Sequence, residues 1–87
     1  MLDISVTVKR KDGTTETFPV YADSQIGFER WAKKSISAAF DPSVKPSMEH
    51  LYYLAWLAEK NSGRAVKPFD EWYKDVAAVG TEDGPGN

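Results

Sequence analysis

Cysteine is absent from this chain, and histidine occurs once, at position 50. Without thiols there can be no disulfide and no thiolate metal site. One imidazole cannot by itself supply the three or four converging ligands that a metal requires. Neither sign of charge dominates: 11 Lys plus Arg stand against 13 Asp plus Glu, a formal net charge of −2. No whole-chain field therefore draws phosphate backbones, and nucleic acid is not an expected partner. Long apolar runs are missing as well, the longest being far too short to cross a bilayer. The N-terminus alternates apolar and polar residues and has no basic flank leading into an apolar core, so neither a signal peptide nor a membrane partner is expected. A phosphate-cradling glycine loop and a nucleophile elbow are also missing. These absences lead to the expectation of a soluble, cytoplasmic, non-enzymatic protein with no cofactor and no metal.

Aromatic and aliphatic residues are plentiful, and they fall into a legible order. Leu2, Ile4, Val6 and Val8 alternate with Asp3, Ser5, Thr7 and Lys9, the period-two pattern of a strand with one buried face. Asp12-Gly13 supplies residues suited to a tight turn, and Thr14 to Tyr21 follows as a second strand with Phe18 and Val20 on one face. Pro19 cannot donate a ladder hydrogen bond and belongs on an edge. A lone hairpin is marginal in water, so the apolar face of this one must lie on helices.

Three helices are expected after it. Asp23 or Ser24 can cap the first, over about 24–40, with Phe28, Ala32, Ile36 and Phe40 at i, i+4 spacing and Trp31 beside them. Glu29 and Lys33 form an i, i+4 pair on its other face. Asp41-Pro42 stops it, since the residue before proline is pushed out of the α region. Ser43 to Pro46 makes a short linker. The second helix, 47–61, opens at Ser47 with Glu49 in its first turn and closes at Lys60 near Asn61 and Gly63. The third, 68–79, opens at Pro68 with Asp70 and Glu71 in its first turn, carries Phe69, Trp72, Tyr73, Val76 and Val79 as its apolar stripe, and ends at Gly80. Thr81 to Asn87 has no apolar residue and reads as a disordered tail. The expected fold is thus α+β: one domain over 1–80, an N-terminal β-hairpin (2–21) packed on a mostly α-helical three-helix part, then a flexible tail over 81–87.

The acids invite a metal-site reading that does not hold. Asp70 and Glu71 project about 100° apart on a helix, and Asp75 lies near only Glu71, so dipole complementation and a solvated face account for them. More informative is Leu51 to Ala58, Leu-Tyr-Tyr-Leu-Ala-Trp-Leu-Ala, which has no polar face. A helix that is apolar all round must be covered on every side by its own domain or by another chain. A domain of this size buries only somewhat more than about 60% of the surface its unfolded chain exposes, so self-association into a homo-oligomer is expected to help. Leu51, Leu54, Ala55 and Ala58 suffice to face the hairpin and first helix. Tyr53, Trp56 and Leu57 spread around the opposite side and, with Tyr73 of the third helix, form the expected partner-binding surface, Tyr and Trp being enriched where one protein grips another.

The second half of the chain, Ser47-Met-Glu-His-Leu-Tyr-Tyr-Leu-Ala-Trp-Leu-Ala-Glu-Lys followed by a Gly-containing loop and Pro68-Phe-Asp-Glu-Trp-Tyr-Lys-Asp-Val, resembles the tail assembly chaperones of long-tailed bacteriophages. Phe28-Glu-Arg-Trp is similar to the earlier helix of that family, and the resemblance spans roughly residues 26–79. It rests on packing and interface motifs, not on a catalytic signature. It implies a non-enzymatic factor of the host cytoplasm that binds the tape measure protein, keeps that long helical client soluble, and assists tail tube assembly with the major tail protein as a further partner. The alternative expectation is a structural virion subunit, a tail or head-tail connector protein.

Overall fold

The computed structural model describes residues 4–40, 43 and 47–83. The expected strand start at Leu2, the Asp41-Pro42 helix stop, most of the 43–46 linker and the last four positions of the tail lie outside the described residues. The fold is α+β. A three-stranded antiparallel sheet of order β2-β1-β3 is covered on one face by helices.

Strand β1 (Ile4–Arg10) pairs with β2 (Thr15–Val20) in the register Ile4↔Val20, Val6↔Phe18 and Val8↔Glu16. The turn between them is built as its residues require. Gly13 has φ +95°, a conformation glycine adopts without steric cost, and the Asp12 carboxylate accepts hydrogen bonds from the backbone N–H and the hydroxyl of Thr14 at 2.9 and 2.7 Å. Pro19 does sit on an edge strand. Val6, Val8, Phe18 and Val20 form the buried face, whereas Thr7 and Thr17 meet hydroxyl to hydroxyl, 3.0 Å apart, on the solvated one.

The expected first helix is two helices. Helix α1 (Ala22–Ala32) starts at Tyr21 without a side-chain cap. Ser24, one of the expected caps, is instead buried, accepting a hydrogen bond from Asn61 Nδ2 at 3.0 Å. Lys33 ends α1 in the left-handed conformation (φ 60°), and Ser35 caps α2 (Ile36–Ala39) by accepting from the Ala38 N–H at 3.1 Å. A serine that can cap competes with helix continuation. The Glu29 carboxylate takes the N–H of Ile36 at 2.8 Å in place of the expected partner Lys33. The break turns Ile36 and Ala39 into the core and brings Phe40 against Phe28, with ring centroids 5.5 Å apart.

Helix α3 (Met48–Asn61) has the expected bounds, with Ser47 at the N-cap and Gly63 (φ +94°) beyond the C-terminus. It packs across the sheet and against α1, and it contributes Leu54, Ala55, Leu57 and Ala58 to the core. The largest departure comes next. The expected helix 68–79 stops after one turn, α4 (Phe69–Trp72); a 3₁₀ turn at Tyr73–Asp75 follows, and then β3 (Val76–Asp83). Val8↔Val79 and Val6↔Thr81 pair across the second side of β1, with a register irregularity between Lys9 and Arg10. Val76 and Val79 fit a helical stripe, but their β-branched side chains suit a strand equally well. The free edge of β1 offers a ladder that an isolated helix cannot match. For the same reason Thr81–Asp83 belong to the sheet and are not part of a disordered tail.

Candidate partner-binding surface

Aromatic rings form one connected path over the helical side of the molecule. Trp31 on α1 stacks on Tyr53 of α3 with centroids 3.9 Å apart and planes 8° from parallel. Tyr53 meets Phe69 of α4 edge-on at 5.1 Å, and Phe69 meets Tyr73 at 5.3 Å. Trp56 joins Tyr53 and Phe69 at 5.4 and 6.0 Å. At the other end His50 stands edge-on to both Phe28 and Trp31. Offset and edge-on contacts of this kind add stabilisation beyond the area buried, and they fix each ring by its neighbours.

The four expected partner-binding residues do not share one environment. Tyr73 is exposed, at 41% of its surface. Tyr53 and Trp56 are half-buried, and the Trp56 indole N–H donates to the Lys67 carbonyl at 2.8 Å while the Lys60 ammonium lies 5.0 Å from its ring centroid. Leu57 is a correction: it is buried, only 8% exposed, with its side chain beside Gly27 and its carbonyl 3.4 Å from the Ser24 hydroxyl. The side of α3 opposite the sheet is not left over, because α1 packs on it. The surface thus consists of Tyr73 and the accessible parts of Tyr53 and Trp56, without Leu57.

Where the path reaches α4, an open groove of about 520 Å³ lies between the first turns of α3 and α4. Met48, Tyr52, Phe69 and Tyr73 supply its apolar lining, and Glu49 and Asp70 its polar one. Met48 is 62% exposed. Sequence reasoning did not single out Met48. The signal was the spacing: Met48 with Tyr52 and Phe69 with Tyr73 are both i, i+4 pairs at helix starts.

A second cleft, of about 410 Å³, opens at the other end of α3 beside Arg10, Glu59, Lys67, Trp72 and Asp75. Four of its charged residues, Arg10, Glu59, Lys67 and Asp75, are held in ion pairs. Glu59 is buried, and one carboxylate oxygen accepts from Arg10 at 2.6 Å and from the Trp72 indole N–H at 3.2 Å. Arg10 also reaches Glu16 at 2.8 Å, and Glu16 takes a bidentate fork from Arg64. The Arg64 hydrogen bond holds the Glu16 carboxyl below its ordinary pKa, and the Glu16 carboxylate in turn raises that of Arg64. The network ties both hairpin strands, α3, the 62–68 loop and α4 together. Lys67 and Asp75 pair at 3.0 Å, as do Glu71 and Lys74 at 3.1 Å. Among the described residues, no three His, Cys, Asp or Glu side chains converge as metal ligands, and no helix is long and apolar enough to cross a membrane. Comparison with protein-family models, with curated proteins and with solved structures finds no match to this chain.

Proposed function

We infer that this chain is a non-enzymatic phage tail assembly chaperone of the host cytoplasm, which holds an amphipathic helical segment of the tape measure protein and assists tail tube assembly with the major tail protein. The observation that carries this reading is the aromatic path from Trp31 through Tyr53 and Phe69 to Tyr73, ending in an accessible groove. An amphipathic helix recognises such a groove by laying apolar side chains at i, i+3, i+4 and i+7 into it. Rings held by one another change little on binding, so little ordering entropy opposes association. The resemblance to the chaperones runs through the same residues: Tyr52, Tyr53 and Trp56 of the Leu-Ala-Trp segment and Phe69 of Phe-Asp-Glu-Trp. Co-purification from infected cells followed by mass spectrometry tests it. Tape measure peptides should accompany the chain, and the chain should be absent from purified particles.

The structural-subunit reading has its own observation. β3 is an edge strand, and its run Val76 to Thr81 carries no charge and no proline, with Ala77, Ala78, Gly80 and Thr81 exposed. Edges left this plain are templates for strand addition, either by a second copy, which would make the homo-oligomer, or by a neighbouring subunit in a particle. Recovery of the chain from purified virions would favour this reading over the chaperone.

A further inference from the structure

Nearly every acidic side chain described has a partner within the molecule. Asp12, Asp23 and Glu29 accept from the backbone N–H groups of Thr14, Ser24 and Ile36. Glu16 and Glu59 pair with arginines, and Glu71 and Asp75 with lysines. Among the acids from Asp12 to Asp75 whose side chains are described, the two carboxylates without such a contact are Glu49 and Asp70. Both line the same groove, one on the α3 wall and one on the α4 wall, around the apolar surface of Met48, Tyr52, Phe69 and Tyr73.

Each of the two sits in the first turn of its helix, where the dipole favours a carboxylate. That explains an acid at each position taken singly. It does not explain why these two acids line one accessible apolar groove while the other carboxylates named above are each held by a backbone N–H or a basic side chain. Nor is the pattern a by-product of an acidic surface, since the chain's net charge is only −2.

Resting on the reading that the groove seats an amphipathic helix, we propose that its occupant is a basic one: a helix with lysine or arginine flanking its apolar stripe. The apolar side chains lie on Met48 and Phe69. The cationic side chains run their methylene stems over the rings of Tyr52 and Tyr73, where a cation is also attracted by the ring face, and end at Glu49 and Asp70. Aromatic lining provides contact area and the two carboxylates select the sign of charge, so an equally apolar acidic helix is rejected.

The test uses the full chain and three synthetic amphipathic helices that share one leucine face and carry Lys, Gln or Glu on its flanks. At low salt the Lys helix should bind about tenfold tighter than the Gln helix, with the Glu helix weakest, as two surface ion pairs would give. Raising the salt from about 50 mM to about 500 mM should shrink that spread, because the Debye length falls severalfold. Glu49→Gln combined with Asp70→Asn should bring the Lys helix down to the affinity of the Gln helix, while the control Asp23→Asn keeps the difference. Equal affinity for the Lys and Gln helices, or a difference that survives the double substitution, overturns the basic-occupant proposal and leaves helix docking standing. Failure of all three helices to bind overturns helix docking itself, and the proposal with it.

Discussion

The two ends of α3 make opposite use of charge. At its C-terminal end Glu59 is buried and answered by Arg10 and Trp72, with Glu16 and Arg64 completing a network in which each group has a partner. At its N-terminal end Glu49 faces a groove with exposed Met48 and Tyr73, across from an equally unpaired Asp70. A buried carboxylate persists only where partners replace the water it has lost, and its removal leaves those partners stranded. An accessible carboxylate carries no such cost. One end of α3 thus holds the fold together through its charges, and the other leaves its acids without a partner inside the molecule.

The same chemical change at the two ends gives the sharpest test and the largest effect. Glu59→Gln should destabilise the fold by about 3 to 5 kcal/mol, leaving the Arg10 guanidinium without its buried anion. For a domain this size that lowers the thermal midpoint by on the order of 15 °C or more. Glu49→Gln should stay within about 1 kcal/mol of wild type, the scale of a surface substitution plus a lost dipole interaction. Thermal melts of the pair decide the matter, and equal losses would erase the distinction between the two ends.

Trp56 lies midway between the two regions, and its substitution measures how far the groove end depends on packing. Trp56→Ala removes a half-buried ring and its hydrogen bond to the Lys67 carbonyl, with an expected loss of about 2 kcal/mol, less than the 3 to 5 typical of a fully buried aromatic. Tyr73→Ala, at an exposed position, should leave the midpoint nearly unchanged yet weaken helix binding by tenfold or more. If Tyr73→Ala melts as low as Trp56→Ala, the exposed end of the path belongs to the core.

A smaller effect of opposite sign is expected where α1 crosses α3. Gly27 lies inside α1, and a Cβ there would stand 3.6 Å from Leu57 Cδ1, an ordinary van der Waals contact. Gly27→Ala should therefore stabilise the protein by about 1 kcal/mol, seen as a midpoint a few degrees higher. A drop would mean that the two helices are closer than this spacing allows.

The mildest expected change is with pH. Both Glu16, through the Arg64 hydrogen bond, and Asp12, through the Thr14 backbone N–H, have folded-state pKa values below their ordinary ones. Groups lowered on folding contribute their stability in full above the ordinary carboxylate range and lose it as pH falls through the lowered values. The midpoint should hold from pH 7 to about 5 and decline below about 4, and Glu16→Gln should flatten part of that decline. An unchanged acid limb in Glu16→Gln would show that the network end is not where protons act.

Local chemistry was sufficient for the elements whose residues carry their own instructions. The alternation of Ile4, Val6 and Val8, the Asp12-Gly13 turn, and an α3 bounded by Ser47 and Gly63 could all be read along the chain, because each rests on contacts within a few residues. The aromatic content of the candidate surface was legible too, through Tyr53, Trp56 and Tyr73. What could not be read was which apolar side meets which neighbour. Val76 and Val79 suit a helix and a strand alike, and only the open side of β1, some 70 residues earlier in the chain, selects the strand. Leu57 went from expected surface to core because α1, turned back after the hairpin, covers that side of α3. Glu59 had no mark in the sequence to show that it would be buried. Composition and spacing by themselves determined the α+β class, the hairpin and the central helix. The α1–α2 break rests on the local Ser35 cap, whereas tertiary structure alone decided the third strand and the Arg10–Glu59 and Arg64–Glu16 pairings, because those join segments far apart in sequence.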